Sequence, residues 1–162
     1  MNVESTIRQM QAIVDTYHSQ AHPLPSLIEM RRELAGLLFF LSGQVKATWV
    51  KKEVSHARRK WATSREIVAA MEQDLKAVGT KPRAMNRLEV ETEALDHVLQ
   101  AKKEQAEAEG EWEELRAMSR AAEQVLNAMQ QEIADLRHEQ NHSNYLDRLA
   151  AQERAKDQPT QA

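Results

Sequence analysis

Val54-x-x-Ala57-x-x-x-Trp61-x-x-Ser64-x-x-x-Val68-x-x-Met71-x-x-x-Leu75-x-x-Val78 advances in alternating steps of three and four residues. That is the a/d pattern of a coiled coil, and it predicts one stripe of a helix that a partner helix covers. Directly after it, Gly79-Thr80-Lys81-Pro82 supplies a helix stop, a turn and a restart. The chain is expected to turn back there and run antiparallel to itself.

Working outward, no proline occurs between Pro25 and Pro82. A first long arm is therefore expected over 26–78, roughly 80 Å if wholly helical at about 1.5 Å per residue. Its weak points are Gly36 and Ser42-Gly43. The returning arm is expected over 83–140, with apolar positions at Leu88, Leu95, Val98 and Leu99 and then at Trp112, Leu115, Met118, Ala122, Val125, Met129, Ile133 and Leu136. Between Leu99 and Trp112 only alanines interrupt the polar run, so a break in the helix is expected near Gly110. Upstream, Ile7, Met10, Ile13, Val14 and Tyr17 predict a short helix over 3–20, capped by Asn2 or Ser5 and stopped by His22-Pro23-Leu24-Pro25. Residues 151–162 are polar and end in Gln158-Pro159-Thr160-Gln161-Ala162, the composition of a disordered tail. The expectation is one all-α domain over 1–150: an elongated antiparallel helical hairpin with a short amino-terminal helix.

Composition points the same way. Four glycines and 4 % aromatic residues in 162 leave too few turn-makers and strand-formers for a β sandwich, barrel or doubly wound sheet. With no cysteine, a disulfide scaffold, a thiolate nucleophile and a sulfur-ligated zinc site are excluded, and a reducing compartment is permitted. The longest apolar run, residues 34–41, is far shorter than the roughly 20 residues that span a bilayer, and no basic, then apolar, leader opens the chain. The expectation is a cytoplasmic chain that engages no membrane.

The formal net charge of −3 conceals two opposed arms. Lys46, Lys51, Lys52, Arg58, Arg59, Lys60 and Arg65 stand against Glu53 alone in 44–65, whereas ten acids stand against Lys102 and Lys103 in 88–114. A turn at 80–81 sets 46–65 beside 96–115, so basic arm meets acidic arm and Trp49 meets Trp112; such pairs set register more than they stabilise. The other reading takes residues the seam does not use. Lys51, Arg58 and Arg65 fall at e, Lys52 and Arg59 at f, and Lys46 and Lys60 at g, a cationic stripe of roughly 28 Å that suits a phosphate backbone. Trp49, off the seam, is placed to stack a base.

No catalytic constellation emerges. Glu53-x-x-His56 occurs once and outside the seam, His138 and His142, like Glu93 and His97, read as solvated pairs, and no phosphate loop or nucleophile elbow is present. The chain is read as no enzyme, with no metal and no cofactor. Phe39 and Phe40 are adjacent and cannot both face one helical seam, so Leu34, Leu37, Leu38, Phe39, Phe40 and Leu41 are read as an oligomer interface.

The layout resembles that of the phage UvsY-type recombination mediators. The likeness runs over 34–139: an early apolar helix, the basic stretch Lys51-Lys52-Glu53-Val54-Ser55-His56-Ala57-Arg58-Arg59-Lys60, a polar middle, and a closing helix with Trp112 and Val125-Leu126-Asn127-Ala128-Met129. Proteins of that family form rings, bind single-stranded DNA and help a recombinase replace single-strand-binding protein. The resemblance implies DNA binding by Lys51, Lys52, Arg58, Arg59 and Lys60, in a homo-oligomer whose protein partners are a recombinase and/or single-strand-binding protein. The longer hairpin, acidic returning arm and added amino-terminal helix depart from the pattern. The rival expectation is a structural or adaptor coiled coil, an assembly chaperone or scaffold, whose charges only set register.

Overall fold

The computed structural model describes residues 2–156, and these are all-α: helix α1 (Val3–Ser19), α2 (Leu24–Lys76), α3 (Met85–Glu93) and α4 (Asp96–Lys156). Asn2 caps α1, its side-chain oxygen accepting from the Ser5 amide at 2.7 Å. Pro25 sits in the first turn of α2, where a missing N–H costs nothing. Gly79 stops the chain after α2 with φ +87°, the left-handed conformation that glycine adopts without a Cβ penalty.

The returning segment breaks elsewhere than near Gly110. Residues 94–95 separate α3 from α4, the Leu95 amide donating to the Thr92 carbonyl at 3.1 Å in a tightened turn. From Asp96 onward α4 is continuous. Its seam passes the expected gap on small and polar residues: Val98, Ala101, Gln105, Ala108, Trp112, Leu115 and Ser119 are buried or half-buried at alternating three- and four-residue steps. The tail expectation is also corrected for 151–156, which continue α4, while 157–162 lie outside the described residues.

The chain divides into two compact units, Met1–Phe40 with Arg120–Ala162 and Leu41–Ser119. The first unit has a conventional apolar core: Met10 and Ile13 of α1, Leu27, Leu34 and Leu37 of α2, and Ala122, Met129 and Ile133 of α4 are buried. Within it the Tyr17 hydroxyl donates to Glu132 at 3.1 Å. Burial and that neighbouring carboxylate both push the tyrosine pKa above its ordinary value.

The second unit is packed on smaller and more polar residues. Leu41, Leu88, Val98 and Leu115 are buried together with Thr48, Thr92, Ala108 and Ser119. Its α2 and α4 segments pair antiparallel: Lys51 meets Glu111, Lys52 meets Glu109 at 3.7 Å, His56 and Arg59 meet Gln105 at 3.2 and 3.1 Å, and Glu66 meets His97 at 3.2 Å.

Candidate nucleic-acid interface

The face that α2 turns toward α4 is not the heptad stripe. Thr48, Lys52, Ser55, Arg59, Ala62 and Glu66 are buried or half-buried, whereas Val54, Ala57, Trp61, Ser64, Val68, Met71 and Leu75 are exposed. The two rows lie two residues apart at each step, or about 200° around the helix, so the apolar stripe points away from the packed face. Sequence reasoning inverted the helix here. Burying Lys52 and Arg59 in part is affordable because acids of the returning segment meet them.

Those contacts divide the seven cations. Lys51 is paired with Glu111 and Lys52 with Glu109, and Lys52 Nζ also lies 4.2 Å from the centroid of the Trp112 ring. Arg59 donates to Gln105 at 3.1 Å and to Glu93 at 3.4 Å. The f-position residues, expected to point outward, are therefore the ones held between the helices. Lys46, Arg58, Lys60 and Arg65 remain exposed with no acidic partner among the described residues. Arg58 shares a groove with Glu104 and Glu107 without a salt bridge to either, and Arg65 lies 5.3 Å from the Trp61 ring.

Trp49 is 45 % exposed, as a base-stacking residue requires, and it does not form the expected contact with Trp112. Cations take that place: besides Lys52, Arg116 lies 4.7 Å from the Trp112 ring. Trp61, read as a seam residue, is more exposed than Trp49 at 64 %. No family model, curated protein or solved structure matches the chain.

The apolar run at 34–41, expected at an oligomer interface, is in large part buried within the chain. Leu34, Leu37 and Leu41 are buried within the chain and Leu38 and Phe40 are half-buried, leaving Phe39 exposed. Spacing explains this, because 34, 37 and 41 continue the seam that begins at Leu27 and Phe39 falls on the far side of the helix.

One polar cluster escaped the sequence reading. Around the turn between α2 and α3, Arg83 holds Asp74 through Nε at 2.9 Å and Nη2 at 2.7 Å, and Glu91 through Nη1 at 2.6 Å, while Arg87 takes the other Glu91 oxygen at 2.7 Å. The Arg83 hydrogen bonds lower the Asp74 pKa, and those of Arg87 and then Arg83 lower that of Glu91. The available signal was an arginine one residue after the turn proline, within reach of a carboxylate one turn before the stop. The cluster is saturated with internal partners, which makes it a clasp rather than a ligand site. Among the described residues no group of three or more His, Asp or Glu side chains is placed to hold a metal, and no helix is long and apolar enough to cross a membrane.

Proposed function

We propose that this chain is a non-enzymatic accessory factor that binds single-stranded DNA without sequence preference, acting in the cytoplasm as a homo-oligomer in phage-type homologous recombination alongside a recombinase and/or single-strand-binding protein. The observation that carries the reading is the set Lys46, Arg58, Lys60 and Arg65, exposed and without acidic partners among the described residues, on one helix segment. They span roughly 28 Å of α2, and each phosphate they engage releases counterions. Trp49, exposed near one end of the set, offers a stacking surface of the kind that tolerates any base. Four cations make a weak site on one copy, and several copies on one strand raise the effective concentration of the next contact. The layout resemblance to the UvsY-type mediators supplies the recombination setting. The test is fluorescence anisotropy of a labelled single-stranded oligonucleotide at several salt concentrations, beside an R58E/K60E/R65E variant checked for helicity. Binding that falls steeply with salt and is lost in the folded variant supports the reading, and absence of binding at low salt overturns it.

A second reading, a structural or adaptor coiled coil that docks a protein partner, is favoured by a different observation. Lys51, Lys52 and Arg59 are spent on Glu111, Glu109 and Glu93, as register-setting charges are. It predicts protein binding that the charge reversals above leave unchanged.

A further inference from the structure

Val54, Trp61, Val68, Met71 and Leu75 form one exposed line along α2 in the second unit, 46, 64, 53, 40 and 77 % accessible. With Ala57 and Ser64 they are the part of the heptad stripe that lies in α2; the row packed on the returning segment runs through Lys52, Ser55, Arg59 and Ala62, and Met71 and Leu75 border a groove that Pro82, Met85 and Leu88 line. A monomer has no structural use for a/d periodicity on a solvated face, since that spacing serves knobs-into-holes packing against another helix. We propose that a second copy of this chain covers the stripe, with the two α2 helices antiparallel and Leu75 of each copy packed against Ala57 of the other. The inference deepens the homo-oligomeric part of the proposed function and rests on it only there, because the pairing can hold whether or not DNA binds.

Charge selects the direction. In a parallel, in-register pair g faces the e of the next heptad, which sets Lys60 against Arg65 and Lys46 against Lys51 of the second copy, two repulsive contacts on each side against one attractive pair, Glu53 with Arg58. In an antiparallel pair e faces e. With Leu75 against Ala57, Trp61 faces Met71 and Ser64 faces Val68, so large residues meet smaller or pliable ones. Arg58 then faces Glu72 of the other copy twice, and both are exposed and without an ion pair among the described residues. Arg65 meets its own counterpart across the twofold axis, the one repulsive contact on this flank, and its guanidinium lies over Trp61.

Neighbouring registers are worse. A shift of one heptad that sets Ala57 against Val68 brings Arg58 against Arg65 twice. The opposite shift, with Ser64 against Leu75, sets Arg65 against Glu72 but leaves both Ala57 and Trp61 without a facing residue in α2, which ends at Lys76, whereas the favoured register leaves only Val54 so. The favoured register also gathers Lys51, Arg58 and Arg65 of both copies along one edge.

The chain contains no cysteine, so an introduced one is the sole thiol. Ala57→Cys and Leu75→Cys proteins, one carrying a mass tag, are mixed and mildly oxidised without DNA, and the disulfides are mapped by peptide mass spectrometry. Light scattering of the wild type and of a V68E/L75E variant accompanies this, with helicity checked by circular dichroism. The expected result is a 57–75 disulfide between copies, with little homodisulfide from either protein alone, and a wild-type mass of at least two chains that the folded V68E/L75E variant reduces to one. A dominant 57–57 disulfide shows a parallel pair and overturns the proposal. So does a stronger 57–68 or 64–75 disulfide in the corresponding cysteine mixtures, a wild type of one-chain mass at about 50 µM, or a V68E/L75E variant that keeps the oligomer. DNA binding by the wild type is a separate readout, because R58E/K60E/R65E also removes the Arg58–Glu72 contacts of the pair.

Discussion

Lys52 Nζ lies 4.2 Å from the Trp112 ring centroid and 3.7 Å from a Glu109 oxygen, so one of the seven cations on which a nucleic-acid reading could rest is used to hold two helices together. Lys52→Ala is expected to cost about 0.5–1 kcal/mol of stability, through the lost ring contact and the packed side-chain stem. Chemical denaturation measures that loss, and affinity for single-stranded DNA is expected to stay within twofold of the wild type.

The cation groups should separate by salt. Each phosphate contact contributes about −0.7 to the slope of log K against log salt for a single strand. Removing Arg58, Lys60 and Arg65 one at a time should flatten the slope by roughly that amount per residue, whereas Arg59→Gln, whose side chain meets Gln105 and Glu93, should lower the melting temperature and leave the slope unchanged. Anisotropy titrations between low and moderate salt read the first effect and thermal unfolding the second.

Acid should loosen the turn first. Asp74 and Glu91 have folded-state pKa values held below their ordinary 3.8 and 4.5, so the stabilisation they supply is complete above those values and is lost as pH falls through the lowered ones. Amide exchange near residues 77–90, taken relative to the intrinsic rate at each pH, is expected to accelerate below about pH 4. Asp74→Asn should produce much of that acceleration at neutral pH and weaken its further acid dependence, and an unaltered exchange profile in this variant counts against the clasp.

Two glycines should respond in opposite directions. Gly79 has φ +87°, so Gly79→Ala forces a Cβ into the left-handed region and is expected to destabilise by about 1–2 kcal/mol. Gly110 lies inside continuous α4 with nothing within 4 Å of a built Cβ, so Gly110→Ala is expected to stabilise by about 0.5–1 kcal/mol. Denaturant midpoints of the two variants decide both.

Legibility differed by kind of residue. Proline and glycine spoke plainly, because backbone restrictions act within one or two residues: Asn2, the Pro23 and Pro25 stop and Gly79 sit where their chemistry puts them. The α4 seam through Ala101, Gln105 and Ala108 was obscured because small and polar side chains at seam positions do not register as hydrophobic periodicity. The apolar run at 34–41 looked like a surface patch because adjacent leucines and phenylalanines conceal which row continues the seam from Leu27.

What the amino-acid sequence determined by itself was local: that the chain is helical, where α1 and α2 begin to within about two residues, where α2 stops, and which residues carry charge. Which side of α2 faces inward was decided only in the tertiary structure. Two rows of equal heptad regularity run along that helix, one apolar through Val54, Trp61 and Val68 and one polar through Lys52, Ser55 and Arg59. Periodicity does not rank them. The choice depends on what α4 presents in return, and Glu109, Trp112 and Gln105 complement the polar row. The apolar row, and with it Arg58, Lys60 and Arg65, is thereby left on the surface.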